Sequence, residues 1–223
     1  MISMLSMLPK LPMLTMLPIL PILPMLSMLP KLPKLSKKHS FDMVFDSQKV
    51  FRLILEAISN PTSVVNIKEF ANKLVGSFPE FLAVAATLLD NETGFSTCGN
   101  EALSEEIVSL TSARREKTDV SDFIFVADSD GLRAAIESAK HGSLSDPHKS
   151  ATVVIRNDGA PNCSLRVSGP GINGLTSIEV SQTVNDAIAF RDLQYYEYPQ
   201  GIDLIFISES GDLFAIPRLV KVV

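Results

Sequence analysis

From Asp46 to Ser59 the apolar residues Val50, Phe51, Ile54, Leu55 and Ile58 recur at helical spacing, so they line one side of an amphipathic helix. Asp46 is placed to cap its start, and Asn60-Pro61 ends it, because the residue before a proline is pushed out of helical geometry. A short strand is expected near Val64 to Ile67. A second helix follows from Pro79 to Leu89, with Leu82, Ala85, Ala86 and Leu89 on one face, then a turn at Asp90-Asn91-Glu92. Glu101 to Leu110 is again helical. Phe123-Ile124-Phe125-Val126-Ala127 is a continuous apolar run, the pattern of a strand covered on both faces. Asp128 to Lys140 reads as the next helix and Ala151 to Ile155 as another buried strand. A turn at or near Asn157-Asp158-Gly159 pairs that strand with Cys163 to Val167. Thr183 to Leu193 gives one more helix. The pattern closes with Ile202 to Ile207, the turn Glu209-Ser210-Gly211-Asp212, and Leu213 to Ile216, which together make a hairpin. Helices interleaved with buried strands and a terminal hairpin predict a three-layer α/β domain around a mixed sheet.

The stretch Ser168 to Leu175 carries glycines at 169, 171 and 174 and so matches G-x-G-x-x-G. That fingerprint has physical content only where a strand turns into a helix whose N-terminus faces a pyrophosphate. Here Leu-Thr-Ser-Ile-Glu-Val-Ser follows Gly174 and alternates like a strand, and Pro170 removes a backbone N–H from the turn. The reading is a structural turn, with Asn173-Gly174 as its tight corner.

The first forty residues follow a different pattern. Leucine stands at every third position from Leu5 to Leu35, and prolines fall at 9, 12, 18, 21, 24, 30 and 33. Between Leu11 and Pro30 no residue is charged, but five are proline. Each interior proline costs a helix about 3 kcal/mol and a hydrogen bond that a bilayer cannot replace, so a membrane span is not expected. Period three suits a polyproline II helix. Two readings stand: a translated tandem repeat added to the domain, or an apolar interaction arm.

Composition narrows the function classes. The chain has 223 residues and is 46% hydrophobic, enough for one globular domain, residues 41 to 223, with an appendage, residues 1 to 40. Its net charge is −5, and residues 1 to 40 contribute five lysines and no acid, which leaves −10 for the rest. A nucleic-acid surface is therefore not expected. Cys98 and Cys163 are isolated and His39, His141 and His148 are scattered, so neither a disulfide framework nor a metal motif is indicated, and a reducing, cytoplasmic setting is.

Several segments, taken in order, resemble the PhnH family, a subunit of the bacterial carbon-phosphorus lyase system. These are Phe41-Asp42-x-Val44-x-Asp46-Ser47-Gln48-x-Val50-Phe51-Arg52 with Ala57-Ile58-Ser59-Asn60-Pro61-Thr62, the run Leu82 to Thr93, and Phe123 to Lys140. Leu165-Arg166-Val167-Ser168-Gly169-Pro170-Gly171-Ile172 resembles the family's glycine turn. The segments Tyr198-Pro199-x-Gly201-Ile202-Asp203-Leu204-Ile205 and Ala215-Ile216-Pro217-Arg218 resemble its closing hairpin. Where the family follows its final Pro-Arg with two threonines, this chain has Leu219-Val220. The resemblance implies a fold like the large domain of pyridoxal-phosphate-dependent transferases, without the cofactor, and a homodimer. It also implies work with other carbon-phosphorus lyase subunits, in forming ribose 1-alkylphosphonate 5-triphosphate from an alkylphosphonate and ATP. The alternatives are a working pyridoxal phosphate enzyme, or a dimeric scaffold without ligand.

A pyridoxal phosphate site needs a Schiff-base lysine and an acid facing the ring nitrogen. Asp128, just past a buried strand, could be that acid, but aspartate's capping preference makes it the N-cap of the next helix. Lys149, in Asp146-Pro147-His148-Lys149-Ser150, is the best-placed lysine, yet its neighbours mark a solvated turn. Arg218 follows a proline at a strand end, and its guanidinium could clamp a carboxylate or bind phosphate; Asp203, alone in an apolar strand, is the expected partner. No residue is assigned to catalysis, to a metal or to a cofactor. Phe41, Phe45, Tyr195, Tyr196 and Tyr198 are candidates for an interface, since aromatic residues concentrate at interface centres.

Overall fold

A computed structural model describes residues 39–223. The readings of the tripeptide repeat fall outside those residues up to position 38. Helix α1 (Phe45–Ser59) buries Val50, Ile54 and Ala57 on one side. Its start is not capped by Asp46. Asp42 Oδ1 accepts the N–H groups of Val44 and Phe45 at 2.8 and 2.9 Å, while Asp46, one turn further on, reaches back to the N–H of Asp42 at 2.9 Å. Two acids at this spacing divide the work, and sequence spacing alone selected the wrong one. Asp46 is buried and pairs with Lys73 Nζ at 2.8 Å.

Then come β1 (Val65–Asn66), α2 (Lys68–Ala71), α3 (Pro79–Leu88), β2 (Gly94–Ser96), α4 (Glu101–Thr111), β3 (Arg114–Arg115) and β4 (Phe123–Val126). Pro79 opens α3 at a position where its missing N–H costs nothing. Asn100 caps α4 by accepting the N–H of Leu103 at 3.0 Å. The helix expected from Asp128 begins later. Ser129–Gly131 form a 3₁₀ turn, α5 spans Leu132–Ser138, and the Asp128 side chain makes no capping bond. Gly131, the poorest helix former short of proline, holds the start back.

The remaining elements are β5 (Thr152–Arg156), β6 (Cys163–Ser168), β7 (Thr176–Val180), α6 (Gln182–Asp192), β8 (Asp203–Ile207), β9 (Asp212–Ile216) and β10 (Lys221–Val222). Seven strands form one sheet in the order β1-β9-β8-β5-β4-β2-β3, parallel from β8 to β3 and antiparallel across β8, β9 and β1. The closing hairpin is as expected, Leu204 facing Ile216 and Ile207 facing Leu213. The pairing of β5 with β6 is not. Strand β5 lies between β4 and β8, in register Thr152↔Asp203 to Arg156↔Ile207, while β6 joins β10 and β7 in a separate antiparallel sheet. The Asn-Asp-Gly corner carries only local information. A strand built on the apolar run Val153-Val154-Ile155 gains more from two covered faces, which the centre of the large sheet supplies.

Alternate residues of the large sheet enter two cores. Phe125, Val154, Ile205 and Ala215 pack with residues of α1 to α4, and Ile124, Val153, Leu204 and Ile216 pack with residues of α5 and α6. Helices therefore cover both faces of a mixed sheet, giving three layers. The glycine stretch is the turn between β6 and β7, and no helix starts there. At Gly171, with φ of +80°, an added Cβ would stand 2.3 Å from the carbonyl oxygen of Ser59; at Gly169 it would meet the Leu219 oxygen at 2.8 Å. The glycines let this turn seat on the end of α1 and on the segment before β10.

Candidate functional site

In a parallel sheet, ligands collect outside the carboxyl ends of the strands. At the ends of β2 and β4 a cavity of about 190 Å³ is lined by Thr97, Cys98, Gly99, Asn100 and Asp128. Lys149 lies elsewhere: it precedes β5, at the amino end of the sheet, and its Nζ pairs with Asp146 at 3.1 Å. The structure thus separates the two residues that a pyridoxal phosphate site would need together. The cavity offers an acid but no lysine, so these residues do not fit a cofactor held as a Schiff base.

A larger cavity, about 560 Å³, opens past the ends of β5 and β8. Asp158, Glu179, Glu209 and Asp212 line it, and Arg156 ties Asp158 and Glu209 together from the side. Among the described residues no group of three metal-ligating side chains comes together, and no helix is long and apolar enough to cross a membrane.

The third cavity, about 360 Å³, gathers the residues that sequence singled out. It lies between the end of α6, the segment 194–202 and residues 218–222, and Arg218, Tyr195, Tyr196 and Tyr198 all line it. These are the chain's three tyrosines. Arg218 has the expected partner: its backbone N–H and Nε donate to Asp203 Oδ1 at 2.8 and 3.3 Å, and its terminal nitrogen to Oδ2 at 2.5 Å. The other terminal nitrogen donates to the Pro147 carbonyl. This is a two-pronged clamp that fixes the guanidinium plane. The ring of Tyr196 packs on His141 with centroids 5.4 Å apart, and burial raises its pKa. Tyr195 and Tyr198 are open to solvent, 93% and 77% exposed, beside an exposed Leu193.

Two basic residues of this cavity escaped sequence reading. Arg191, in the last turn of α6, is only 4% exposed; it donates to the carbonyl of Val220 at 2.9 Å, to that of Pro217 at 3.4 Å, and to Asp192 at 2.9 Å. A cation at a helix C-terminus signals dipole compensation, and nothing in the pattern says that it also holds the chain before β10. Lys221 reads as a terminal lysine and becomes a wall of the cavity through β10, a strand too short for its pattern to show. Of the other interface candidates, Phe41 is buried in the core beneath α1, whereas Phe45 is largely exposed on α1. Burial of Phe41 follows from the fold-back of residues 40 to 46, where the Ser40 N–H donates to the Lys73 carbonyl.

The family model described as bacterial phosphonate metabolism protein (PhnH) matches residues 39–223. The putative C-P lyase subunit protein HtxG of Stutzerimonas stutzeri is 27% identical over 176 residues, which cover 78% of this chain and 85% of that protein. The match starts where the described residues start and takes in the glycine turn, the clamp of Arg218 on Asp203 and the tyrosine cavity. On that span, the chain belongs to the PhnH family of bacterial phosphonate metabolism proteins.

Proposed function

We propose that this protein is a subunit of the carbon-phosphorus lyase machinery, acting in the cytoplasm with other subunits to form ribose 1-alkylphosphonate 5-triphosphate from an alkylphosphonate and ATP. Isolated, it is a homodimer. Its contribution is surface, with no catalytic residue of its own. The observation that carries this reading is that all three tyrosines line one cavity, two of them exposed, together with an arginine already held rigid. Rigid aromatic side chains beside a preorganised guanidinium are what protein interfaces place at their centres, because they bury large areas at small entropic cost. The kinship to a protein named as a C-P lyase subunit supplies the class of partner.

The test is co-purification with the other phosphonate subunits. Replacing Tyr195 and Tyr198 with serine removes exposed rings only, so the thermal midpoint stays near the parent's while association is lost. Replacing Tyr195 and Tyr196 extends the test to the half-buried ring. Full retention of association by both variants would remove the assignment of this surface.

A further inference from the structure

We propose that the cavity under Tyr195 and Tyr198 binds a small tetrahedral oxyanion of the phosphate or phosphonate class. The charge pattern comes first. The domain past Ser40 carries −10 overall, yet Arg191, Arg218 and Lys221 line this cavity with Asp192 while Asp203 pairs with Arg218, which leaves the charge of Lys221 in excess. Asp192 is itself bonded to Arg191 Nε at 2.9 Å. The carboxyl end of α6 adds negative potential here, and Arg191 in its last turn offsets that.

Donors remain to be used. A guanidinium has five N–H groups, and the side-chain bonds of Arg218 to Asp203 and Pro147 occupy three of them. Lys221 forms no ion pair among the described residues, and the Tyr196 phenol carries an O–H that can donate. The clamp on Asp203 holds the guanidinium plane in place before any ligand arrives, so binding costs little further ordering. The exposed rings of Tyr195 and Tyr198 provide apolar walls for an organic substituent on the anion. A volume of about 360 Å³ suits a small phosphonate and is at the lower end for organic ligands. Choosing a phospho-oxyanion over a carboxylate rests on the phosphonate reading given above; the cationic lining stands without it.

The experiment is titration of the full chain with inorganic phosphate, methylphosphonate and acetate, followed by calorimetry and by the 31P signal of the first two. Saturable binding of phosphate or methylphosphonate, with acetate weaker, is expected; tighter methylphosphonate would identify the phosphonate as the source. Lys221→Gln deletes an exposed, unpaired charge and should weaken binding about tenfold, the worth of one charge-assisted hydrogen bond. Tyr196→Phe should weaken it by a few fold without lowering the midpoint, and Lys49→Gln, on α1, should change nothing. No saturable binding, acetate binding as well as phosphate, or Lys221→Gln binding like the parent would each overturn the proposal. If anion binding fails while the Tyr195 and Tyr198 double variant still loses its partners, the surface reading survives alone. Anion binding without partner loss gives the converse.

Discussion

Replacing Gly171 with alanine tests whether the glycine-rich stretch is a packing device. Two costs meet at this position. Its φ of +80° lies in the left-handed region, where any side chain costs about 1–2 kcal/mol. The new Cβ would also stand 2.3 Å from the Ser59 carbonyl oxygen and 2.8 Å from Pro61 Cδ, contacts that no unmoved structure tolerates. Forcing the turn off the end of α1 adds about 1–3 kcal/mol, the usual cost of overpacking. Gly174 supplies the control. It has nearly the same φ, +77°, but nothing within 4 Å of its added Cβ, so it bears only the conformational cost. For a domain of this size, 1 kcal/mol is worth about 2–4 °C in midpoint. The expected losses are therefore about 4–20 °C for Gly171→Ala and about 2–8 °C for Gly174→Ala, the first larger than the second. Thermal melts followed by circular dichroism read both, and urea melts check that the transition stays cooperative. Equal losses from the two substitutions would refute the packing argument. So would an unchanged midpoint for Gly171→Ala accompanied by lost ATP binding, the outcome a phosphate-cradling turn demands.

Two further predictions concern charge and cofactor. The N–H of Asp42 and the Lys73 ammonium together hold the Asp46 carboxyl below its ordinary range. A depressed folded-state pKa gives stability that is complete above the unfolded value, about 4, and is lost as pH falls through the folded one. Asp46→Asn should therefore lower the urea midpoint at pH 7 and flatten its decline in acid; a variant with the parent's acid limb would deny Asp46 that role. Incubation with pyridoxal phosphate should produce no aldimine absorbance band, because Asp128 and Lys149 lie at opposite ends of the sheet. A band that disappears in Lys149→Ala would reverse this.

What the sequence disclosed depended on how far each signal reaches. The outlines of α1 and of the β8–β9 hairpin were legible because each is a single periodic run with a stop written beside it. Arg218 and Asp203 could be matched because an acid inside Asp203-Leu204-Ile205-Phe206-Ile207 must find a cation wherever the chain brings one. The partner of β5 was not legible. Its neighbour β8 lies about fifty residues on, and apolar runs carry no label saying which of them pair. The cap of α1 was misplaced because Asp42 and Asp46 both have the right chemistry, and only the backbone path between them decides which oxygen meets which N–H. Arg191 and Lys221 each look ordinary in their own element. Their function as walls of one cavity exists only after α6 and β10 are folded against each other.

The order β1-β9-β8-β5 puts the hairpin of residues 203–216 between the edge strand β1 and the central strand β5. Of the seven strands, these two are the last to be synthesised. Until they exist, β1 has no sheet neighbour and β5 has one bare edge, so the nascent chain carries two unpaired edges around an apolar surface. Such edges invite pairing with other chains, and long-range parallel pairing is slow to form. The hairpin thus closes the sheet between β1 and β5 only after every other strand of that sheet has been made.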